Sequence, residues 1–362
     1  MKKNLIILIF ILMLILIPKV NASTSTAHEY ILMDETTGRI LAGKNYNDKA
    51  LIASITKIMT CLLAIESGKL TETVVVDDVI KDSYGSGIYI EVGEELTLKD
   101  LLYGLMLRSG NDAALMVAKY VGGTVEDFVS QMNNKAKEIG MKNTIFTNPS
   151  GLDNTDSGNY STAYDMALLT KYAMQYDSYK EIVGTKSYTL KTNKKTYVWK
   201  NKNKLLSRYD YITGGKTGYT EKAHRTLVTT ATKDNMNLIV VTINDSDDWN
   251  THTELYEYAF SNYTSYKVLS QDDFKVIGDT YYKDNLYINN DIYITLSQEE
   301  TTNLVNHIKL TKLSNYKDGD KVGTNEIYLD NELLYKEDIY ISKTATTKKT
   351  NSFLDKIKEL FK

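Results

Sequence analysis

The sequence predicts an α+β fold: an antiparallel sheet with flanking helices, followed by a small all-β domain. Three observations carry this. Residues 28–44 alternate around Thr36-Thr37-Gly38 as a β-hairpin does. The middle of the chain repeats its apolar residues at helix spacing. From Ser187 the period shifts towards two, and after Tyr263 it stays there in short runs rich in Tyr, Ile and Val.

In chain order, the first 22 residues read as a targeting segment. Lys2 and Lys3 precede an unbroken apolar run from Leu5 to Ile17, and Val20-Asn21-Ala22 offers a small-residue cleavage site. The run is short of the roughly 20 residues that span a bilayer, which favours a cleaved signal and an exported protein. A domain is expected over 23–263, beginning with the hairpin. Ser54 opens an apolar helical run through Ile55, Ile58, Met59, Leu62 and Leu63. Leu98, Leu101, Leu102, Leu105 and Met106 form a second helical face that delivers Ser109 at its end. A further helix starts near Asp112, with Ala113, Ala114, Val117 and Ala118 as its packing face, so Asn111 is expected on a short helix-to-helix connection. Thr124 with Asp127 marks another helix start, and Gly140 its stop. Tyr188 to Leu190, Tyr197 to Trp199, Arg225 to Thr230 and Leu238 to Ile243 read as strands, joined with the first hairpin into one sheet. Residues 250–262 close the domain as a helix. The β-rich domain is expected over 264–345, with turns at Asn289-Asn290, Asp318-Gly319 and Asp330-Asn331. In the tail, 346–362, Phe353, Leu354, Ile357, Leu360 and Phe361 share one helical face ringed by Lys356, Lys358 and Lys362, a pattern suited to the membrane interface.

The composition excludes several classes. Cys61 is the only cysteine, so no internal disulfide forms despite export. It reads as a small core residue. His28, His224, His252 and His307 lack metal-ligand spacing, so neither a zinc site nor any cofactor is expected. The formal charge is −3, and loss of Lys2, Lys3 and Lys19 with the signal takes it to −6, the wrong sign for binding nucleic acid.

Chemistry concentrates in three short motifs: Ser54-Ile55-Thr56-Lys57, Ser109-Gly110-Asn111 and Lys216-Thr217-Gly218. Serine is a weak nucleophile until a neighbour takes its proton, and a lysine one turn away does so when burial or another cation depresses its pKa. Lys216 is the expected second cation. The chain carries decoys of the same motifs, Ser314-Asn315-Tyr316-Lys317 and Ser157-Gly158-Asn159. Ser314 lies in a polar stretch with no apolar face, which sets Ser54 apart.

The motifs in their settings are Ala53 to Thr60, Leu107 to Ala114, Asn148-Pro149-Ser150-Gly151-Leu152 and Lys216 to Thr220. In these the chain resembles the low-molecular-mass penicillin-binding proteins that act as serine-type D-Ala-D-Ala carboxypeptidases, peptidase family S11. The resemblance covers roughly residues 27–263. It implies a β-lactamase/transpeptidase-like domain followed by a β-sandwich. It also implies removal of the terminal D-alanine from peptidoglycan stem pentapeptides through an acyl-serine, with β-lactam antibiotics as covalent inhibitors. By the same resemblance Ser54 is the nucleophile, Lys57 its base and Ser109 the proton relay to the leaving amine. Asn111 binds the substrate amide, Lys216 and Thr217 bind the terminal carboxylate, Gly218 lets the backbone approach, and the N–H groups of Ser54 and Tyr219 hold the oxyanion.

The chain departs from the family's pattern in places. It has Ala223-His224 where Ala-Gly is usual, and Asn159-Tyr160-Ser161-Thr162 where His-Tyr-Ser-Thr is common. The segment 247–252 also lacks the arginine that some members use for the carboxylate, leaving Arg225 or His252 as substitutes. Arg108 reads equally as a surface residue. Two other functions fit parts of the sequence. A secreted serine β-lactamase shares the attack chemistry, but the window between Ser109 and Lys216 holds no Glu-x-x-x-Asn for deacylation. A non-catalytic wall-binding scaffold would not need the complete set of motif residues.

Overall fold

A computed structural model describes residues 25–154 and 157–342. The expected signal, 1–22, and the expected amphipathic tail, 346–362, lie outside the described residues. Among those described, no helix is long and apolar enough to cross a membrane. The chain divides into two compact units between Asn262 and Tyr263.

The first unit is built on a five-stranded antiparallel sheet. The predicted hairpin forms as β1 (Glu29–Asp34) and β2 (Ile40–Lys44). Two further strands, β3 (Ser187–Lys191) and β4 (Thr196–Lys200), form where the sequence alternates. They pair only with each other, as a separate two-stranded sheet, and do not join the main sheet as expected. The main sheet is completed by β5 (Ile212–Thr220), β6 (His224–Lys233) and β7 (Met236–Ile243), in the order β2-β1-β7-β6-β5. Lys216-Thr217-Gly218 lies within β5, which is the sheet's edge strand.

Alternation explains how this sheet is buried on both faces. Ile31, Met33, Val228, Ile239, Val241 and Ile243 face one way, into the helical core. Thr229 and Thr242 face the other way, onto His252.

The helical core centres on α1 (Lys57–Glu66), buried from Lys57 to Ile65 and apolar there apart from Lys57 and Thr60. Around it stand α2 (Leu98–Arg108), α3 (Asn111–Gly122), α4 (Val125–Ile139), α5 (Ala163–Ala173) and α6 (Asp177–Gly184). A further helix, α7, is Asp248–Asn262 and carries His252. Capping fixes the boundaries. The Thr97 and Asp100 side chains bond reciprocally to backbone N–H groups at the start of α2, and Thr124 accepts from Asp127 N at the start of α4, where the sequence places it. Gly140 ends α4 at φ 90°, the left-handed stop that glycine takes without a steric penalty. Cys61 is fully buried in this core, where burial pushes its thiol pKa up and keeps it unreactive.

The second unit pairs β8 (Thr264–Leu269) with β10 (Ile292–Leu296). A four-stranded sheet contains β9 (Leu286–Tyr287), β11 (Leu304–Leu310), β12 (Lys321–Leu329) and β13 (Glu332–Ile341) in the order β9-β13-β12-β11. Its core gathers Ile288, Ile294, Ile327, Ile339 and Ile341. Asp330 and Asn331 turn the β12–β13 hairpin at φ 48° and 70°, the left-handed pair that a two-residue hairpin requires.

Candidate active site

Ser54 lies in a single 3-10 turn, Ala53–Thr56, and α1 begins only at Lys57. In a 3-10 turn side chains three apart eclipse, which aligns the Ser54 hydroxyl with the Lys57 amine. Lys57 Nζ donates to Ser54 Oγ at 3.1 Å, to Asn111 Oδ1 at 2.7 Å and to the Ser150 carbonyl at 2.5 Å. These bonds fix the amine of a fully buried lysine.

The Ser150 carbonyl is placed by a tight loop. Asn148 Oδ1 accepts from the Ser150 and Gly151 N–H groups, and Pro149 O accepts from Thr60 Oγ1 at 2.6 Å. Gly151 sits at φ 84°, so close to the nucleophile's turn that a Cβ there would stand 1.9 Å from the Ala53 carbonyl oxygen. Asn159, where the family often has histidine, is buried. It donates to Thr56 Oγ1 at 3.0 Å and to Asn148 O at 2.9 Å, and accepts from Thr147 N at 2.7 Å. It braces both the loop and the turn, a structural task for the decoy Ser-Gly-Asn. The other decoy, Ser314 to Lys317, sits with both of those residues exposed in the second unit.

Ser109 caps α2 in the left-handed region, φ 64°, an uncommon conformation for serine that turns its side chain out of the helix. The helix-to-helix connection is shorter than expected: Asn111 is already the first residue of α3. Its Nδ2 donates to Tyr84 O at 2.7 Å, which leaves Oδ1 facing Lys57. Asp112, beside it, accepts from the N–H groups of Ile88 and Tyr89 and holds residues 86–89 at the cleft.

From the other side, edge strand β5 brings Lys216 Nζ to 3.0 Å from Ser109 Oγ. The same amine donates to the Thr217 carbonyl at 2.6 Å. Lys216 is buried and turned inward, whereas Thr217, Gly218 and Tyr219 line the open cleft of about 400 Å³ together with Ser54 and Ser109. A Cβ on Gly218 would lie 2.9 Å from the Ser54 nitrogen, so the strand backbone lies against the nucleophile's own N–H.

Electrostatics follow from burial. Desolvation, then the charge of Lys202, pull the Lys57 pKa down to about 7, opposed by the Asp112 carboxylate. Lys216 is held well below the ordinary lysine value by burial first, then by Lys57 and Lys202. The second cation acting on Lys57 is thus Lys202, a cleft-lining residue that sequence reasoning missed, and the same environment lowers the pKa of Lys216 itself. A serine beside an unprotonated amine can be deprotonated at neutral pH, which is the chemistry of a nucleophilic hydrolase.

The remaining predictions divide. Arg225 lines the cleft, donating to Asp248 Oδ1 at 2.6 Å with its guanidinium over Trp249. His252 does not face the cleft. It is buried between Thr229 Oγ1, 2.7 Å from Nδ1, and Thr242 Oγ1, 3.1 Å from Nε2, and burial lowers its pKa to about 3. It stays neutral and cannot pair with a carboxylate. Arg108 donates to the Lys200 carbonyl at 3.3 Å, a scaffold contact. His224, where Ala-Gly is usual, adopts φ 56°, the backbone region that explains a glycine there.

A serine on a helix-start turn, a lysine one turn on, and a Lys-Thr-Gly edge strand closing over both define the active-site serine hydrolases of the penicillin-binding class. The comparisons narrow this. The family model for D-alanyl-D-alanine carboxypeptidase, peptidase S11, matches residues 18–247, and the model for the penicillin-binding protein 5 C-terminal domain matches 263–347. The chain is 38% identical over 262 residues to D-alanyl-D-alanine carboxypeptidase DacF of Bacillus subtilis, covering 69% of this chain and 67% of that protein. It is 32% identical over 336 residues to DacC of Escherichia coli, covering 86% and 82%. Penicillin-binding protein 5 of Haemophilus influenzae superposes with a TM-score of 0.70 at 28% identity, over 88% of this chain and 97% of that one. A serine-to-alanine mutant of the Streptomyces DD-transpeptidase gives 0.63 at 31%, over 66% and 99%. The chain belongs to the D-alanyl-D-alanine carboxypeptidase family, peptidase S11.

Proposed function

We propose that this protein removes the terminal D-alanine from peptidoglycan stem pentapeptides, with Ser54 as nucleophile. The observation that carries the reading is the 3.1 Å bond from Lys57 Nζ to Ser54 Oγ, made by an amine whose pKa is depressed to about 7. Lys57 takes the hydroxyl proton as Ser54 attacks the carbonyl between the two D-alanines. The N–H groups of Ser54 and Tyr219 hold the oxyanion in a site closed by the Gly218 backbone. The proton passes through Ser109, held by Lys216, to the leaving amine. The C–N bond breaks and free D-alanine departs; water then hydrolyses the acyl-serine.

Asn111 orients Lys57 and offers its remaining amide hydrogen to the substrate backbone. The Thr217 hydroxyl, which lies in the cleft, hydrogen-bonds the substrate's terminal carboxylate. Lys216 serves Ser109, since its amine is already committed there and to the Thr217 carbonyl. β-Lactams acylate the same serine. The signal-like start supports export, and the helix-like spacing of the apolar residues from Phe353 to Phe361 supports attachment to the outer surface of the cytoplasmic membrane.

Mass spectrometry of a synthetic stem pentapeptide incubated with the protein tests the reaction. The expected product is the tetrapeptide plus D-alanine, abolished by penicillin and by Ser54→Ala. An intact pentapeptide would refute the reading. Rapid steady-state turnover of nitrocefin would favour a β-lactamase instead.

A further inference from the structure

Lys202 stands outside all three motifs, and the proton path described above gives it no part. Several anchors nevertheless aim it at the cleft. Its own N–H donates to the Leu107 carbonyl, near the end of the helix that Ser109 caps, at 3.1 Å. On one side Asn201 Nδ2 donates to Thr185 O at 3.0 Å. On the other Asn203 Nδ2 donates to Gly214 O at 3.1 Å, on the strand that carries Lys216. The segment 201–203 is thereby tied to both halves of the site, and the lysine between the two asparagines lines the cleft with Ser54, Ser109 and Thr217.

Its ammonium reaches Ser86 Oγ at 3.4 Å, and among the described residues no carboxylate pairs with it. The other cations near the reacting serine are differently placed. Lys57 and Lys216 are fully buried and bonded inward; burial lowers the pKa of both, as partial burial and then Arg108 lower that of Lys202. Arg225 is already paired with Asp248. An anion entering the cleft therefore meets one cation whose charge is not yet compensated.

We propose that Lys202 is the specificity-determining cation that recognises the free terminal carboxylate of the substrate and so restricts cleavage to the end of the peptide. The inference rests on the carboxypeptidase reading and adds to it the residue that distinguishes an acid from an amide at the substrate terminus. A charge-assisted bond of this kind discriminates by about tenfold to a hundredfold. Lys202 also acts on the base. The titratable groups that face Lys57 are Lys202, Lys216 and Asp112, with Arg108 beside Lys202, and Lys202 opposes protonation of Lys57. Its loss lets Lys57 hold a proton to higher pH.

The test uses the full chain and two substrates, a stem pentapeptide ending in free D-alanine and the same peptide ending in D-alaninamide. Release of the terminal residue is measured for the unaltered protein, Lys202→Met and Lys202→Arg. The acid-to-amide ratio of kcat/KM is expected to fall about tenfold or more in Lys202→Met and to return in Lys202→Arg. The acid limb of kcat/KM on the amide should move to higher pH in Lys202→Met alone. A Lys202→Met protein that keeps the unaltered ratio, whatever its absolute rate, overturns the assignment. Labelling of Ser54 by a fluorescent penicillin reports whether the variant is folded. If Lys202→Met does not label, Lys202→Gln is read by the same ratio. Failure of the unaltered protein to release D-alanine would sink the carboxypeptidase reading itself. Normal release with an unmoved ratio sinks only the role of Lys202.

Discussion

Gly218 and Ser54 are locked together: a Cβ built on the glycine stands 2.9 Å from the Ser54 nitrogen, 3.2 Å from that of Ile55 and 2.3 Å from Thr226 Oγ1. The edge strand can lie against the nucleophile's turn only because position 218 has no side chain. Thr226 cannot easily give way, since its hydroxyl also ties the sheet to the Ile52 carbonyl at 3.1 Å. Gly218→Ala should push β5 off the turn and dislocate the oxyanion donors. Acylation by penicillin is expected to slow by about 10²-fold or more, the cost of losing one such donor. Stopped-flow or gel-based labelling rates check this, and a near-normal rate would mean that the strand does not form the oxyanion site.

Gly151 makes the corresponding contact from the opposite side. At φ 84°, with a Cβ position 1.9 Å from Ala53 O, alanine there meets both backbone strain and a backbone clash. Strain alone costs about 1–3 kcal/mol. Gly151→Ala is expected to lower stability by at least that much in denaturant titrations. It should also misplace Ser150 O, one of the acceptors that hold Lys57. An unchanged midpoint and unchanged slope would show that the loop relaxes freely.

Much of this site was legible in the chain because the motifs are local. Ser54 and Lys57 are three residues apart, Ser109 follows an unambiguous apolar stripe, and Thr124 with Asp127 announces a helix start. What escaped was long-range. Alternation over Ser187–Lys191 and Thr196–Lys200 shows which residues share a face but not which strand they pair with, so the separate hairpin was merged into the main sheet. The strand nature of 212–220 was hidden by its glycines, Gly214, Gly215 and Gly218, which depress β-propensity yet admit close neighbours. Lys202 looks like Lys200 or Lys204 in sequence. Only the flanking Asn201 and Asn203, whose side chains favour bonds to backbone, hinted that this stretch was pinned.

The depressed Lys57 pKa gives a pH dependence with a definite sign. The neutral amine is the competent form, so acylation should rise about tenfold per unit up to pH near 7 and level off above it. Stability follows the same group. Between about 7 and the ordinary lysine value the unfolded chain binds a proton that the folded chain does not, so stability contributed by this lysine increases with pH across that window. Lys216, lowered in the same direction, adds a contribution of the same sign. Denaturant midpoints at pH 7 and pH 9 measure it, and Lys57→Met should flatten the slope. A midpoint that falls with pH would contradict the buried, discharged state.

Asp112 offers a test of opposite sign. Its carboxylate accepts from the N–H groups of Ile88 at 3.0 Å and Tyr89 at 2.6 Å, and so holds Tyr89 at φ 60° with its ring largely exposed. It is also the negative charge that raises the Lys57 pKa against the pull of burial and Lys202. Asp112→Asn keeps an acceptor oxygen but removes the charge. The acid limb of penicillin acylation should therefore shift to lower pH, whereas Lys202→Met shifts it upward. Asp112→Ala strips the acceptor as well and leaves the buried Ile88 N–H unpaired, at a cost of about 1–3 kcal/mol. Faster proteolysis within residues 84–90 would report the freed segment. If both Asp112 variants keep the original acid limb, the Asp112 carboxylate does not tune the base, and the charge acting on Lys57 is that of Lys202 alone.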